Sequence, residues 1–210
     1  MQLLEFIWPL SVYRFLNIIE RTDLERKILD CGAGGPRPPL ALFRSRGFET
    51  HGIDISEAAI DASKKFASEQ GINLNIIQGD MREIPFDDSS FSFVFSQNSI
   101  CHLTKKDTMK TIKEMIRVLK PGGYMLVDFM STESSYYGSP SLGDEVGQGE
   151  YLYTDDDGDE VLHSFHDDAE PDRYFVGLNI IRRVKTKSEN LTRSFPDVDV
   201  RLDYYATKPI

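Results

Sequence analysis

The stretch KILDCGAGGPRPPLALFRSRGFETHGIDIS, residues 27–56, reads as strand, glycine turn, helix and strand, with an acid at the end of each strand. Ile28 and Leu29 lead as a short apolar run into Asp30, and Gly32, Ala33, Gly34 and Gly35 follow with no bulky side chain. Such a run makes a tight backbone turn with room for a ligand. Pro38 and Pro39 open the segment LALFRSRGF, and prolines suit a first helical turn because its N–H groups have no internal partner. Leu40, Leu42 and Phe43 offer that helix a sheet-facing side, and Gly47 stops it. The second strand, His51-Gly52-Ile53, delivers Asp54, roughly two dozen residues after Asp30, a spacing that suits a carboxylate meeting the ribose hydroxyls of a nucleoside laid across the turn. The plain alternative is a strand-to-helix turn followed by a solvated loop acid. The dinucleotide fingerprint G-x-G-x-x-G is incomplete, since Arg37 stands where its third glycine belongs.

Length and composition bound the answer. The chain has 210 residues, 40% of them apolar and 11% aromatic, enough for a single α/β domain over 1–210 to bury a core. A formal net charge of −10 argues against nucleic-acid or anionic-membrane partners, which select for an excess of Lys and Arg on one face. Cys31 and Cys101 are far apart and form neither a disulfide framework nor a metal-ligand spacing, so no metal site is expected. They read as small apolar fillers in a protein of the reducing cytoplasm. The opening MQLLEFIWPLSVYRF is apolar but has no basic start or small-residue cleavage site, and Pro9 interrupts it well short of a membrane span.

Val12, Phe15, Leu16 and Ile19 lie at helical spacing, which predicts an N-terminal helical cap within 1–22 that covers the sheet edge or the ligand site. Ser56 reads as the N-cap of a helix with Glu57 in its first turn, ended by Gly71. Residues 73–77 read as a third strand running into Gly79-Asp80-Met81, and residues 91–95 as a fourth. Thr104 with Asp107 starts a helix carrying Met109, Ile112, Ile116 and Leu119 on one face, and Pro121-Gly122-Gly123 ends it. Residues 124–129 are apolar throughout, as a strand buried on both faces requires. Alternating strands and helices predict a Rossmann-like, doubly wound, mostly parallel sheet. Its ligand would lie beyond the carboxyl ends of the strands, where Asp30, Asp54, Asp80 and Ser96 fall.

From Ser131 the texture turns to Ser, Tyr, Gly and acid, which marks 131–176 as a lid-like insertion after the fifth strand. Tyr151-Leu152-Tyr153 and Val161-Leu162-His163 flank Asp157-Gly158 and predict a two-stranded hairpin projecting from the domain. The acids between Asp155 and Glu160 do not follow the spacing of an EF-hand loop and read as a solvated turn. Tyr136, Tyr137, Tyr151 and Tyr153 either line a substrate lid or pack the hairpin. Residues 177–187 and 198–208 alternate like strands on either side of Ser194-Phe195-Pro196-Asp197, and predict an antiparallel C-terminal strand completing the sheet.

Five separate stretches carry one resemblance: ILDCGAGG (28–35), HGIDIS (51–56), QGDMREIPF (78–86), FSFVFSQNSICHL (91–103) and RVLKPGGYMLVDF (117–129). In this order they resemble the class I S-adenosylmethionine-dependent methyltransferases, in particular the small-molecule branch called type 11, and the likeness fades after Phe129. The resemblance implies S-adenosylmethionine as cofactor and a small-molecule substrate. It implies that Asp30, Gly32, Ala33 and Gly34 hold the methionine portion and that Asp54 binds both ribose hydroxyls. Ile55 would pack on the base, Asp80 and Met81 would sit by the adenine, and Ser96 and Gln97 would border the transferred methyl. This chain departs from the pattern at Pro36, where the family usually has its third glycine, and in the fourth strand, where Ser92 and Phe93 occupy the neighbourhood of a common aspartate.

A sulfonium already carries an excellent leaving group, so methyl transfer asks chiefly that a nucleophile be held in line with water excluded. His102, beyond the fourth strand, is the candidate general base, against the reading of a loop histidine preceding the Thr104 cap. Two other functions stay open at this point: a non-catalytic nucleoside-binding protein of the same fold, and an NAD-dependent oxidoreductase.

Overall fold

The computed structural model of the chain describes residues 8–155, 158–189 and 198–210. Its elements in order are α1 (Leu10–Ile19), β1 (Lys27–Cys31), α2 (Leu40–Ser45), β2 (Glu49–Asp54), α3 (Glu57–Glu69), β3 (Ile76–Gln78) and β4 (Phe91–Ser96). There follow α4 (Lys105–Val118), β5 (Leu119–Ser131), β6 (Asp144–Gly147), β7 (Glu150–Thr154), β8 (Glu160–His166), β9 (Asn179–Glu189) and β10 (Val198–Thr207). The main sheet runs β3-β2-β1-β4-β5, all parallel, and continues through antiparallel β10 to β9. This is the expected doubly wound architecture with its reversed C-terminal strand.

The faces follow from the two-residue period of the strands. Ile28, Phe93, Phe95, Leu126 and Tyr205 pack with α1 and α2 on one side of the sheet. Leu29, Cys31, Val94, Met125, Val127 and Phe129 pack with α4 and with Tyr174 and Phe175 on the other. All six residues of β4 are buried, as suits the central strand. The N-terminal helix lies on a face of the sheet rather than along its edge: Phe15 meets the rings of Phe43 and Phe95, and the Tyr205 hydroxyl donates to the Ser11 carbonyl at 3.1 Å.

Caps form where the side chains allow. Ser56 Oγ accepts from Ala59 N at the start of α3, and Thr104 Oγ1 accepts from Asp107 N at the start of α4. The third strand is shorter than its apolar pattern suggests, because Asn75 takes a left-handed φ of 53° and only Ile76–Gln78 pair with β2.

The insertion differs from expectation. It has three antiparallel strands, β6-β7-β8, and it does not project: β8 joins the far end of β5 through Met130↔Phe165 and Ser131↔His166. Cys101, Met130, Tyr136, Leu142, Tyr151 and Phe165 form a small core beneath it. The expected turns at Asp157-Gly158 and at Ser194-Phe195-Pro196-Asp197 fall wholly or partly outside the described residues; the flanking pairs Tyr153↔Val161 and Val198↔Glu189 are formed.

Candidate active site

Four strand ends converge on one cleft. After β1 the chain turns back on itself: Gly32 N and Ala33 N both donate to Ile53 O at 2.9 Å, and Gly35 N donates to Ala59 O at 2.8 Å. Gly32 holds φ +98°, and a Cβ there would lie 2.1 Å from Ser99 Oγ, so the turn and the loop after β4 approach as closely as a backbone permits. At Gly34 an added carbon would lie 2.5 Å from Ala59 Cβ and 2.6 Å from Asp54 Oδ2. The Asp54 carboxylate accepts from Gly34 N at 2.8 Å and from Ser56 N at 3.0 Å.

Gly32, Gly34, Asp54, Ile55, Asp80 and Met81 line a cavity of about 350 Å³, together with Asn98, Ser99 and His102. Ile55 is 64% exposed there, an apolar side chain left open beside a carboxylate. Asp80 is gripped by Arg82, whose Nε reaches both carboxylate oxygens at 3.0 Å and whose Nη2 reaches Oδ2 at 2.7 Å. That guanidinium holds Asp80 below the usual carboxylate range. Gln97 opens onto an adjoining recess of about 530 Å³ with Trp8, Pro36 and Arg37, and Trp8 Nε1 donates to Arg37 O at 3.3 Å. Trp8 thus forms part of the wall of that recess.

Three of the residues singled out from sequence lie beneath the cleft rather than on its wall. Ala33 is sealed against Gly52, and Ser96 is fully buried at the end of β4. Asp30 is 1% exposed and neither carboxylate oxygen has a hydrogen-bond partner among the described residues. Burial, and then the neighbouring Asp54, push its pKa well up.

Sequence reasoning missed Asn98 and Ser99. Ser99 Oγ donates to Gly32 O at 3.2 Å, and Asn98, at a left-handed φ of 57°, donates its N–H to the buried Asp128 at 2.8 Å. The signal was present as a polar run, QNS, straight after a strand whose six residues are buried.

A second cavity of about 670 Å³ opens between the insertion and the C-terminal strands, and it shares Asn98 and His102 with the first. Tyr136, Tyr153 and His163 come to it from the insertion, Met130 from β5, and Asp199 and Arg201 from β10. Arg201 is anchored there by Asp199 at 3.0 Å and by Asp128 at 3.5 Å. Tyr136 and Tyr151 also belong to the small core, so the insertion's tyrosines divide between packing and lining. His102 Nδ1 meets the Leu162 carbonyl at 3.1 Å, which makes that nitrogen the donor. The Cys101 side chain foremost, and that carbonyl after it, push the His102 pKa up. A raised pKa keeps the ring charged over more of the neutral range, and a charged imidazole has no lone pair to accept a proton, so this environment opposes a base role for His102.

Comparison with known proteins agrees with this geometry. Residues 29–127 match the model of a methyltransferase domain family. A solved SAM-dependent methyltransferase from Methanosarcina mazei superposes with a TM-score of 0.74 at 25% identity, covering 92% of this chain and 97% of that one. The sarcosine/dimethylglycine N-methyltransferase of Aphanothece halophytica is 29% identical over 59% of this chain and 45% of its own length. The ubiquinone/menaquinone biosynthesis C-methyltransferase of Idiomarina loihiensis is 36% identical over 48% of this chain and 41% of its own. The chain thus spans less than half the length of these two relatives. Together these likenesses support a class I S-adenosylmethionine-dependent methyltransferase, with S-adenosylmethionine as the cofactor they imply.

Proposed function

We propose that the chain transfers a methyl group from S-adenosylmethionine to a small-molecule acceptor held in the larger cavity. The observation that carries this reading is that the two cavities meet at Asn98 and His102, so a ligand in each would approach its neighbour there. The residues present fit the cofactor. The Gly32 and Gly34 positions form a cradle that any Cβ would fill, and Asp54, with two N–H donors on four lone-pair sites, retains capacity for two ribose hydroxyls. Ile55 offers its open face to a base, with Asp80 and Met81 opposite. Asp30, buried beneath the turn and without a hydrogen-bond partner among the described residues, lies behind the glycine backbone that would meet the methionine portion rather than in contact with it. Bound there, the cofactor supplies a methyl carbon on a positively charged sulfur. The protein's part is to align the acceptor and exclude water, which the insertion does by roofing the second cavity.

The acceptor atom differs between the two relatives named above, one an N- and one a C-methyltransferase, so the substrate is read here as a small molecule without a committed acceptor from those likenesses. Among the described residues no helix is long and apolar enough to cross a membrane. The free, buried Cys31 and Cys101 support a cytoplasmic site of action.

Calorimetric titration with S-adenosylhomocysteine tests the cofactor site. Asp54→Ala removes two charge-assisted hydrogen bonds, so affinity should fall on the order of 100-fold. An unchanged dissociation constant would show that Asp54 does not touch the ribose. Mass spectrometry of a panel of amines, amino acids, hydroxyl compounds and quinols incubated with S-adenosylmethionine should show one member gaining a single methyl.

A further inference from the structure

The larger cavity brings together two histidines that are 61 positions apart in sequence, His102 from the turn after β4 and His163 from β8. Their ring centroids are 4.9 Å apart. Two imidazolium ions at that distance repel strongly, so the pair carries at most one positive charge, and its surroundings decide where. His102 has the Leu162 carbonyl to receive one N–H, and the adjoining Cys101 side chain raises its pKa. His163 has neither: burial, the charge of His102 and the charge of Arg201 hold its pKa down at about 4. Its ring stacks on Tyr153 at 5.5 Å and meets Tyr136 edge-on at 5.4 Å; its Nδ1 is buried, with no hydrogen-bond partner among the described residues, whereas Nε2 is not enclosed in that way. The insertion therefore presents a fixed, neutral imidazole in the wall of a cavity that leads to the cofactor cleft, with Nε2 as the nitrogen within a ligand's reach.

We propose that His163, and not His102, is the catalytic residue that accepts the acceptor's proton, and that the cavity takes an acceptor whose nucleophilic atom bears an O–H or N–H. This rests on the larger cavity being the acceptor site. The bond from acceptor atom to methyl carbon forms as the sulfur–carbon bond breaks, the electron pair of that bond staying on sulfur. The proton leaves the acceptor for the His163 ring nitrogen and passes from there to water. An O–H or N–H becomes far more acidic as its heavy atom gives up a lone pair to carbon, so a weakly basic imidazole suffices provided that it is unprotonated at working pH. His102, bonded to the carbonyl of the residue preceding His163, holds the ring pair in place.

Diethyl pyrocarbonate acylates only unprotonated imidazole and reads this state without knowledge of the substrate. Treatment of the full chain at pH 5.5 and 7.5, with peptide mapping by mass spectrometry, should modify His163 at the same rate at both pH values. N-acetylhistidine in the same solution slows about tenfold at the lower pH. In His102→Gln, His163 should slow more at pH 5.5 than it does in the unaltered chain, though less than N-acetylhistidine, because burial and Arg201 still act on it. A His163 that slows in parallel with N-acetylhistidine in the unaltered chain would overturn the proposal. For the acceptor found in the panel, His163→Gln should lower kcat at least 100-fold with S-adenosylhomocysteine affinity within twofold, whereas His102→Gln should lose less than tenfold. Unchanged turnover in His163→Gln with normal cofactor affinity defeats the base assignment alone. Failure of the unaltered chain to bind S-adenosylhomocysteine, or to methylate any panel member, defeats the reading on which it rests.

Discussion

Gly32 concentrates the constraints of the site in one residue. Its φ of +98° is a conformation that side chains resist, and the space a Cβ would occupy is taken by Ser99. Gly32→Ala should therefore cost on the order of 2–4 kcal/mol in urea unfolding, and should weaken S-adenosylhomocysteine more than its stability loss alone explains, because relief of the clash moves the loop carrying Asn98 and Ser99. A variant as stable as the parent would show that the turn relaxes freely. Asp54 and Gly32 were legible from residue spacing, since both act within one βαβ unit whose geometry is local. Asn98 was legible only as part of a polar run, because what fixes it is an Asp128 on the next strand. His163 was not legible at all: a histidine in a surface hairpin acquires its meaning from His102, Tyr136 and Arg201, none of which is its sequence neighbour.

At the scale of elements, strand and helix identities follow period and punctuation. The places where expectation and structure part are those where pairing partners are distant. The insertion read as a projecting hairpin because nothing in residues 131–176 announces an attachment point. In the structure, Phe165 is buried between Met130 and the tyrosines, the Lys105 backbone N–H is held by Glu150, and Lys105 Nζ pairs with Glu170 at 2.8 Å. Phe165→Ala should remove on the order of 3–5 kcal/mol from this local core. Amide exchange should then quicken across β7 and β8 while β1 and β4 keep their protection, and S-adenosylhomocysteine affinity should stay within about twofold. Uniform loss of protection would mean that the insertion and the main sheet unfold as one unit.

The whole molecule carries buried acids on the strands that join the sheet to its C-terminal pair. Asp128 and Asp203 face one another in the register of β5 and β10, with Arg201 and Arg14 as the nearby cations. Burial first, and Asp128 next, raise the Asp203 pKa to about 7, and burial raises Asp128 as well. The folded chain thus keeps a proton on Asp203 up to about pH 7, whereas an unfolded aspartate releases it near 4. Between those values the native state binds more protons, so stability is highest at the acid end of the window and falls as pH rises through it. Urea unfolding from pH 4.5 to 7.5 should show this fall, and Asp203→Asn should remove roughly 2–4 kcal/mol of it. A slope unchanged by the substitution would place the titration elsewhere.

The order of elements, the two buried faces, the glycine turn and the acid that closes the second strand were set by sequence alone, because each depends on residues within about one βαβ unit and on a repeating hydrophobic period. Tertiary structure alone decided that Asp30 and Ser96 lie beneath the cleft, that the insertion folds down onto β5, and that His102 meets His163. The reason is that burial, charge coupling and cavity walls are made by side chains brought together from remote parts of the chain, and no local pattern encodes which of them will meet.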